Sequence, residues 1–203
     1  MRFFSRSFSA PFSKGFTLVE LLVSIAIIGI VTSIVLLKYN TFDSTVLLKG
    51  VAYEIALTLR DAQVKSISAI GTSGEFSYPY GVTFNTGSDS KRYTVFRYES
   101  TTYGDDPYYS SPAVDVLTTI IDRSMHVSEI CIYGTPLGDP CSVDRLDVSF
   151  RRPEFNSIFY ADATGGPFTD IVRAEIKVNS VGNPLNVFVV EVSQFGQISI
   201  YKQ

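Results

Sequence analysis

The stretch Lys14-Gly15-Phe16-Thr17-Leu18-Val19-Glu20-Leu21-Leu22-Val23-Ser24 opens an apolar run that continues to Leu37. Phe16 to Leu37 is 22 residues with a single charge, Glu20. As a helix rising about 1.5 Å per residue the run spans roughly 33 Å, the thickness of a hydrocarbon core. Its other polar side chains, Thr17, Ser24, Thr32 and Ser33, can bond back to carbonyls of their own helix. The run is therefore competent to cross a membrane. Arg2, Arg6 and Lys14 precede it, with no acid among residues 1–15. That asymmetry predicts a cytoplasmic N-terminus and places everything after Lys38 outside. A secretory signal has a shorter apolar region followed by a small-residue cleavage site, and Leu36-Leu37-Lys38-Tyr39 offers none. A plain uncleaved anchor leaves Glu20 without a reason, because a carboxylate at mid-membrane costs about 2.5–3.5 kcal/mol.

Lys14 through Ser24 resembles the cleavage and methylation signature of type IV prepilins and type II secretion pseudopilins. The resemblance implies cutting between Gly15 and Phe16 by a membrane prepilin peptidase, then N-methylation of Phe16. Glu20 becomes the fifth residue of the mature chain, and Gly29 matches the family's glycine further along the helix. The partners implied are the peptidase, other pilin or pseudopilin subunits, an inner-membrane assembly platform, and membrane lipid before assembly. Leu37 stands where many major pilins carry a helix-bending proline, which points towards a minor pilin or a pseudopilin. Cleavage creates a positive amine on Phe16, and the Glu20 carboxylate of one subunit can meet the amine of a neighbour. Leaving either charge alone in a dry bundle is strongly unfavourable, so such a pair sets register more than stability. The competing reading has Glu20 snorkelling to the interface. Gly29 and Ser33 make a small-xxx-small step that permits close helix approach.

Helical periodicity resumes after Tyr39-Asn40-Thr41-Phe42-Asp43. Leu48, Val51, Ala52, Ile55, Leu59 and Ala62 form one apolar stripe, with Lys49, Glu54, Arg60, Asp61 and Lys65 on the other side. Asp43 or Ser44 is a cap if the chain bends there, and Gly71 is a stop. Beyond Phe76 the pattern is β. Tyr80–Phe84 and Tyr93–Tyr98 flank Asn85-Thr86-Gly87-Ser88, a hairpin signal. Further strands are expected at Val114–Ile121, Val127–Tyr133, Leu146–Arg151, Ser157–Ala161, Ile171–Val178, Val187–Ser193 and Ile198–Tyr201. The fold class expected is α+β: a long N-terminal hydrophobic helix packed on a C-terminal antiparallel sheet or small sandwich. The expected division is a leader at 1–15, a transmembrane or filament-core helix at 16–38, an amphipathic stalk at 39–71 and an extracytoplasmic body at 72–203. The stretches Leu59–Gln63, Tyr80–Phe84, Val148–Pro153 and Val192–Ile200 are similar to H-type pseudopilins and FimT-like minor pilins. That likeness implies a low-abundance subunit that starts or caps a filament.

Net charge is −3, from 17 basic and 20 acidic residues; without Arg2, Arg6 and Lys14 the remaining 14 basic residues leave a balance of −6. An acidic body argues against nucleic acid as a partner, which needs clustered Lys and Arg. The C-terminus, Gly196 to Gln203, holds one basic residue, unlike the basic ends of DNA-binding FimT-like pilins. Arg151 and Arg152 are adjacent and would face opposite sides of a strand. Cys131 and Cys141 bracket a loop containing Gly134, Pro136, Gly138 and Pro140. If the body lies outside the cytoplasm, a disulfide there contributes on the order of 2–3 kcal/mol; in the cytosol they are two free thiols. With two Cys and one His no metal-finger pattern exists, and neither metal nor cofactor is expected. His126 lacks an adjacent nucleophile, and no nucleophile elbow or phosphate loop occurs, so catalytic residues are not expected. Gly104 to Pro112 is an acidic, tyrosine-rich stretch without the spacing of a calcium loop; its tyrosines suit a contact patch. The reading is a pilus or secretion-pseudopilus subunit. The alternatives are a ligand-binding tip subunit, an adhesin or DNA receptor, on the same scaffold and a membrane-tethered enzyme.

Overall fold

The computed structural model describes residues 15–68, 78–99, 108–110, 113–121, 124–134, 139–151, 155–163 and 166–203, without the side chains of 37–44. The leader residues before Gly15, Gly71, Asp105, Asp106 and Arg152 lie outside the described residues.

One helix, α1 (Leu18–Ile67), runs for 50 residues. The backbone stays helical through Asp43 and Ser44, so neither starts a new helix. The chain divides into two compact units, Met1–Asp43 and Ser44–Gln203. In the first, α1 from Leu18 to Leu36 has a mean hydropathy of 2.6 and none of it is buried. It is long and apolar enough to cross a membrane, and its backbone needs no partner because a helix satisfies its own N–H and C=O groups.

In the second unit, Leu48, Ala52, Ile55, Leu59 and Ala62 of the stripe read from the sequence are buried on α1, while Val51 is half-buried and Ala56 joins them. They join one core with residues of two antiparallel sheets. The first sheet is ordered β3-β2-β1-β5-β6-β7 and the second β10-β9-β8-β4. The strands are β1 (Tyr80–Asn85), β2 (Arg92–Tyr98), β3 (Ala113–Ile120), β4 (Met125–Tyr133), β5 (Val143–Phe150), β6 (Ser157–Ala163), β7 (Gly166–Phe168), β8 (Arg173–Ser180), β9 (Asn183–Ser193) and β10 (Ile198–Lys202). Period-two alternation drives Leu146, Val148 and Phe150 of β5 and Ala174, Ile176 and Val178 of β8 inward, all fully buried. The α+β class is as the periodicity indicated.

Several boundaries differ. β1 and β2 pair as the expected hairpin, each strand one residue longer at the turn, and residues 86–91 between them carry a 3-10 turn at Gly87–Asp89 entered by Gly87 at φ +71°. The strand expected from Ile171 begins at Arg173, because the Val172 amide bonds the Tyr133 carbonyl at 2.8 Å outside the ladder. β7 is an additional three-residue edge strand built around Pro167.

The chain passes from the second sheet to the first between β4 and β5. There Cys131 and Cys141 form a disulfide, the Ile132 amide donates to the Pro140 carbonyl at 2.8 Å, and Ile130 pairs with Ser142 in an isolated parallel bridge. The cross-link thus pins the two sheets where the backbone changes layer. Helix and sheets are also joined by polar contacts. The Gln63 amide nitrogen donates to the carbonyls of Phe155 and Gly196, each at 3.2 Å. Gly196, at φ +75°, is required there, since a Cβ would run into the Phe155 carbonyl and come within 2.6 Å of the Gln63 amide. The Tyr80 amide donates to Ser66 Oγ at 2.8 Å.

Candidate processing and assembly site

Gly15, Phe16 and Thr17 lead into α1 without helical structure, and all three are exposed. The Gly15–Phe16 bond therefore lies outside the helix and is exposed. The Thr17 hydroxyl accepts the Glu20 amide at 3.3 Å, and the Thr17 carbonyl accepts the Leu21 amide at 3.1 Å. Thr17 is therefore the N-cap of α1, and Thr17-Leu18-Val19-Glu20 has the spacing of a capping box. That signal was available in the sequence and was missed there. It places Glu20 in the first turn, where the helix dipole favours a negative charge. The first turn thus brings Gly15, Phe16 and the Glu20 carboxylate to one end of the helix.

Further along, Ser24 Oγ donates to the Glu20 carbonyl at 2.7 Å and Ser33 Oγ to the Gly29 carbonyl at 2.8 Å. Both hydroxyls satisfy themselves on their own helix, which removes their cost in an apolar medium. At Gly29 nothing lies within 4 Å of where a Cβ would sit. Gly29 and Ser33 form a small, internally bonded surface open to a partner helix.

In the body, the other residues singled out from the sequence fall into structural settings. His126 sits on β4, half-buried, with its pKa lowered by burial and then by Lys91. It is therefore neutral near pH 7. Glu129, Cys131 and Cys141 bring potential ligand atoms within 4.8 Å of one another, yet the two sulfurs are bonded together and supply no thiolate. A groove of about 410 Å³ crosses the second sheet beside Glu129, Lys177 and Asn179, with Lys177 Nζ already on Glu129 Oε2 at 2.6 Å.

The tyrosines of the acidic stretch turn inward. Tyr108 stacks on Tyr160 with centroids 4.6 Å apart, and the Tyr109 ring lies 5.5 Å from that of Phe96. The Tyr109 amide donates to Asp147 Oδ2 at 2.9 Å. Both are half-buried against the first sheet, which differs from the exposed contact patch expected of them. The physical reason is Asp147, a buried carboxylate that draws a backbone donor onto the sheet.

Residues 12–36 match the family profile described as the prokaryotic N-terminal methylation motif. This prepilin-type motif supports a pilin or pseudopilin that is cut by prepilin peptidase and assembles with other pilins. With the apolar helix that follows, it fits a single-pass membrane anchor. The search of curated proteins and the search of solved structures each returned no match.

Proposed function

We propose that the chain is a minor pilin or pseudopilin. It is cleaved after Gly15, N-methylated on Phe16, held by α1 with its body outside the cytoplasm, and assembled into a type IV pilus or a type II secretion pseudopilus. Its place there is at initiation or at the tip. The observation that carries this reading is the methylation motif at 12–36 running into an apolar helix whose stretch Leu18–Leu36 has no buried side chain and one carboxylate in its first turn. From Leu18 to Leu36 its side chains are exposed and mostly apolar, which suits lipid or other helices of its kind. In a bundle, Glu20 of one subunit pairs with the Phe16 amine of the next, fixing axial register. The role is structural, with binding rather than catalysis as its chemistry.

Intact-mass and N-terminal analysis of protein from its native membrane tests the processing step. The expected mature chain begins at methylated Phe16, and Gly15→Leu should leave the leader attached. Mature-sized protein from that variant would remove the peptidase from the account. Glu20→Ala should insert normally and be depleted from filaments, whereas undiminished incorporation would show that the carboxylate sets no register.

A further inference from the structure

The half of α1 that packs on the body has a second apolar face. Val46, Tyr53, Leu57 and Val64 are 52%, 50%, 67% and 61% exposed. Gly50 lies among them with nothing within 4 Å of its Cβ position. Positions 46, 50, 53, 57, 60 and 64 alternate steps of four and three, the spacing of a coiled-coil seam about 27 Å long. At 100° per residue this seam lies roughly opposite the buried stripe of Leu48, Ile55 and Leu59. An amphipathic helix needs one apolar face to fold; this one has two.

One layer of the seam is polar. Arg60 sits between Leu57 and Val64, and among the described residues it has no ion-pair partner. The acids that border the seam are already engaged. Asp61 holds Lys65 at 2.6 Å, and Glu54 accepts from the Tyr93 hydroxyl at 3.2 Å. A second copy aligned in parallel sets Arg60 against Arg60. Shifted by a heptad either way, it offers Tyr53 or Ile67, and none of Val46, Gly50, Leu57 or Val64 supplies a carboxylate. A lone charged seam residue specifies which partner is accepted.

We propose that this face docks the parallel helix of a different pilin-like subunit, which presents an Asp or Glu opposite Arg60. Gly50 allows close approach, Leu57 and Val64 supply the apolar layers, and Arg60 excludes copies of this chain. The inference rests on the filament reading above and names its neighbour by chemistry.

The test is cysteine cross-linking of the full chain in its native membrane, using Leu57→Cys with Val64→Cys as a second probe and Lys65→Cys as an off-seam control. Both native cysteines are bonded to each other, so the introduced thiol is the reactive one. The expected adduct joins a second, prepilin-processed chain through its helix, next to an acidic residue. Arg60→Glu in the same background should lower adduct yield roughly tenfold or more, and reversing the partner's acid to Arg should restore it. Overturning results are adducts between copies of this chain alone, adducts to a chain without such a helix, or equal yields from Lys65→Cys. Absence of adduct from both seam probes, or a yield indifferent to Arg60→Glu, overturns it too. The N-terminus is sequenced in the same sample: correct processing with any of these results removes the seam alone, and an intact leader removes the filament reading itself.

Discussion

The two halves of α1 are one helix by backbone and two different objects by side chain. From Leu18 to Leu36 every face is apolar and nothing is buried. From Thr45 onward, Leu48, Ile55, Leu59 and Ala62 are wholly buried in a core shared with two sheets. The first half is held by its own hydrogen bonds and by whatever apolar medium surrounds it; the second is held by tertiary packing. Burial therefore separates residues that fold the body from residues left for contacts outside it along a single element.

The largest effect should come from truncating the second half. Leu59→Ala removes a fully buried side chain and should destabilise the body by about 2–5 kcal/mol. Ile27→Ala, on the exposed half, should leave the body's melting temperature unchanged. Thermal unfolding in detergent, followed by near-ultraviolet tyrosine signal, reads both. An equal loss from the two variants would mean that the first half contributes to the core after all.

A smaller loss is expected where the chain crosses between sheets. Replacing Cys131 and Cys141 together by Ser should cost about 2–3 kcal/mol, mostly by releasing the unfolded chain. Because the link lies wholly in the body, its loss should lower that melting transition without altering membrane insertion or processing by the peptidase. Unchanged melting of the double variant would mean that the Ile130–Ser142 bridge and the Ile132–Pro140 bond alone secure the crossover.

These differences also explain what could be read in advance. The first half of α1 was legible as an unbroken apolar run, and the buried stripe and most strands as local periodicities of 3.6 and of 2. Strand neighbours were not, because β1 pairs with β5 across some sixty residues, and alternation marks a face without naming a partner. β7 was hidden since Gly166-Pro167-Phe168 reads as a turn. Gln63 reads as a surface residue and proves buried, because two carbonyls converge on it from distant loops. The second apolar face of α1 escaped notice for a different reason: it contains Arg60 and is bordered by Lys49, Glu54 and Asp61, which mark that side as solvent. At the start of α1 the Thr17-to-Glu20 capping spacing was present in the sequence, hidden inside the apolar run that dominates the reading there.

A weaker dependence, on pH, is expected of the body alone. Asp147 is buried on the body, and burial raises its carboxyl above the ordinary value of 3.8, with Arg145 and the Tyr109 amide pulling the other way. A carboxyl raised on folding holds its proton more tightly in the native state than in the unfolded one. Its contribution to stability is therefore fully present below pH 3.8 and is lost as pH rises through the higher native value. Asp147→Asn keeps an acceptor for the Tyr109 amide and removes the titration. The difference in melting temperature, variant minus wild type, should therefore climb from the acid side of pH 3.8 towards neutrality and then level off. A difference flat across that range would mean that Arg145, 3.6 Å away, already neutralises the burial. In the exposed half of α1 no such burial exists, so Ile27→Ala should show no pH-dependent difference at all, and a sloping one would tie that half to the body's core.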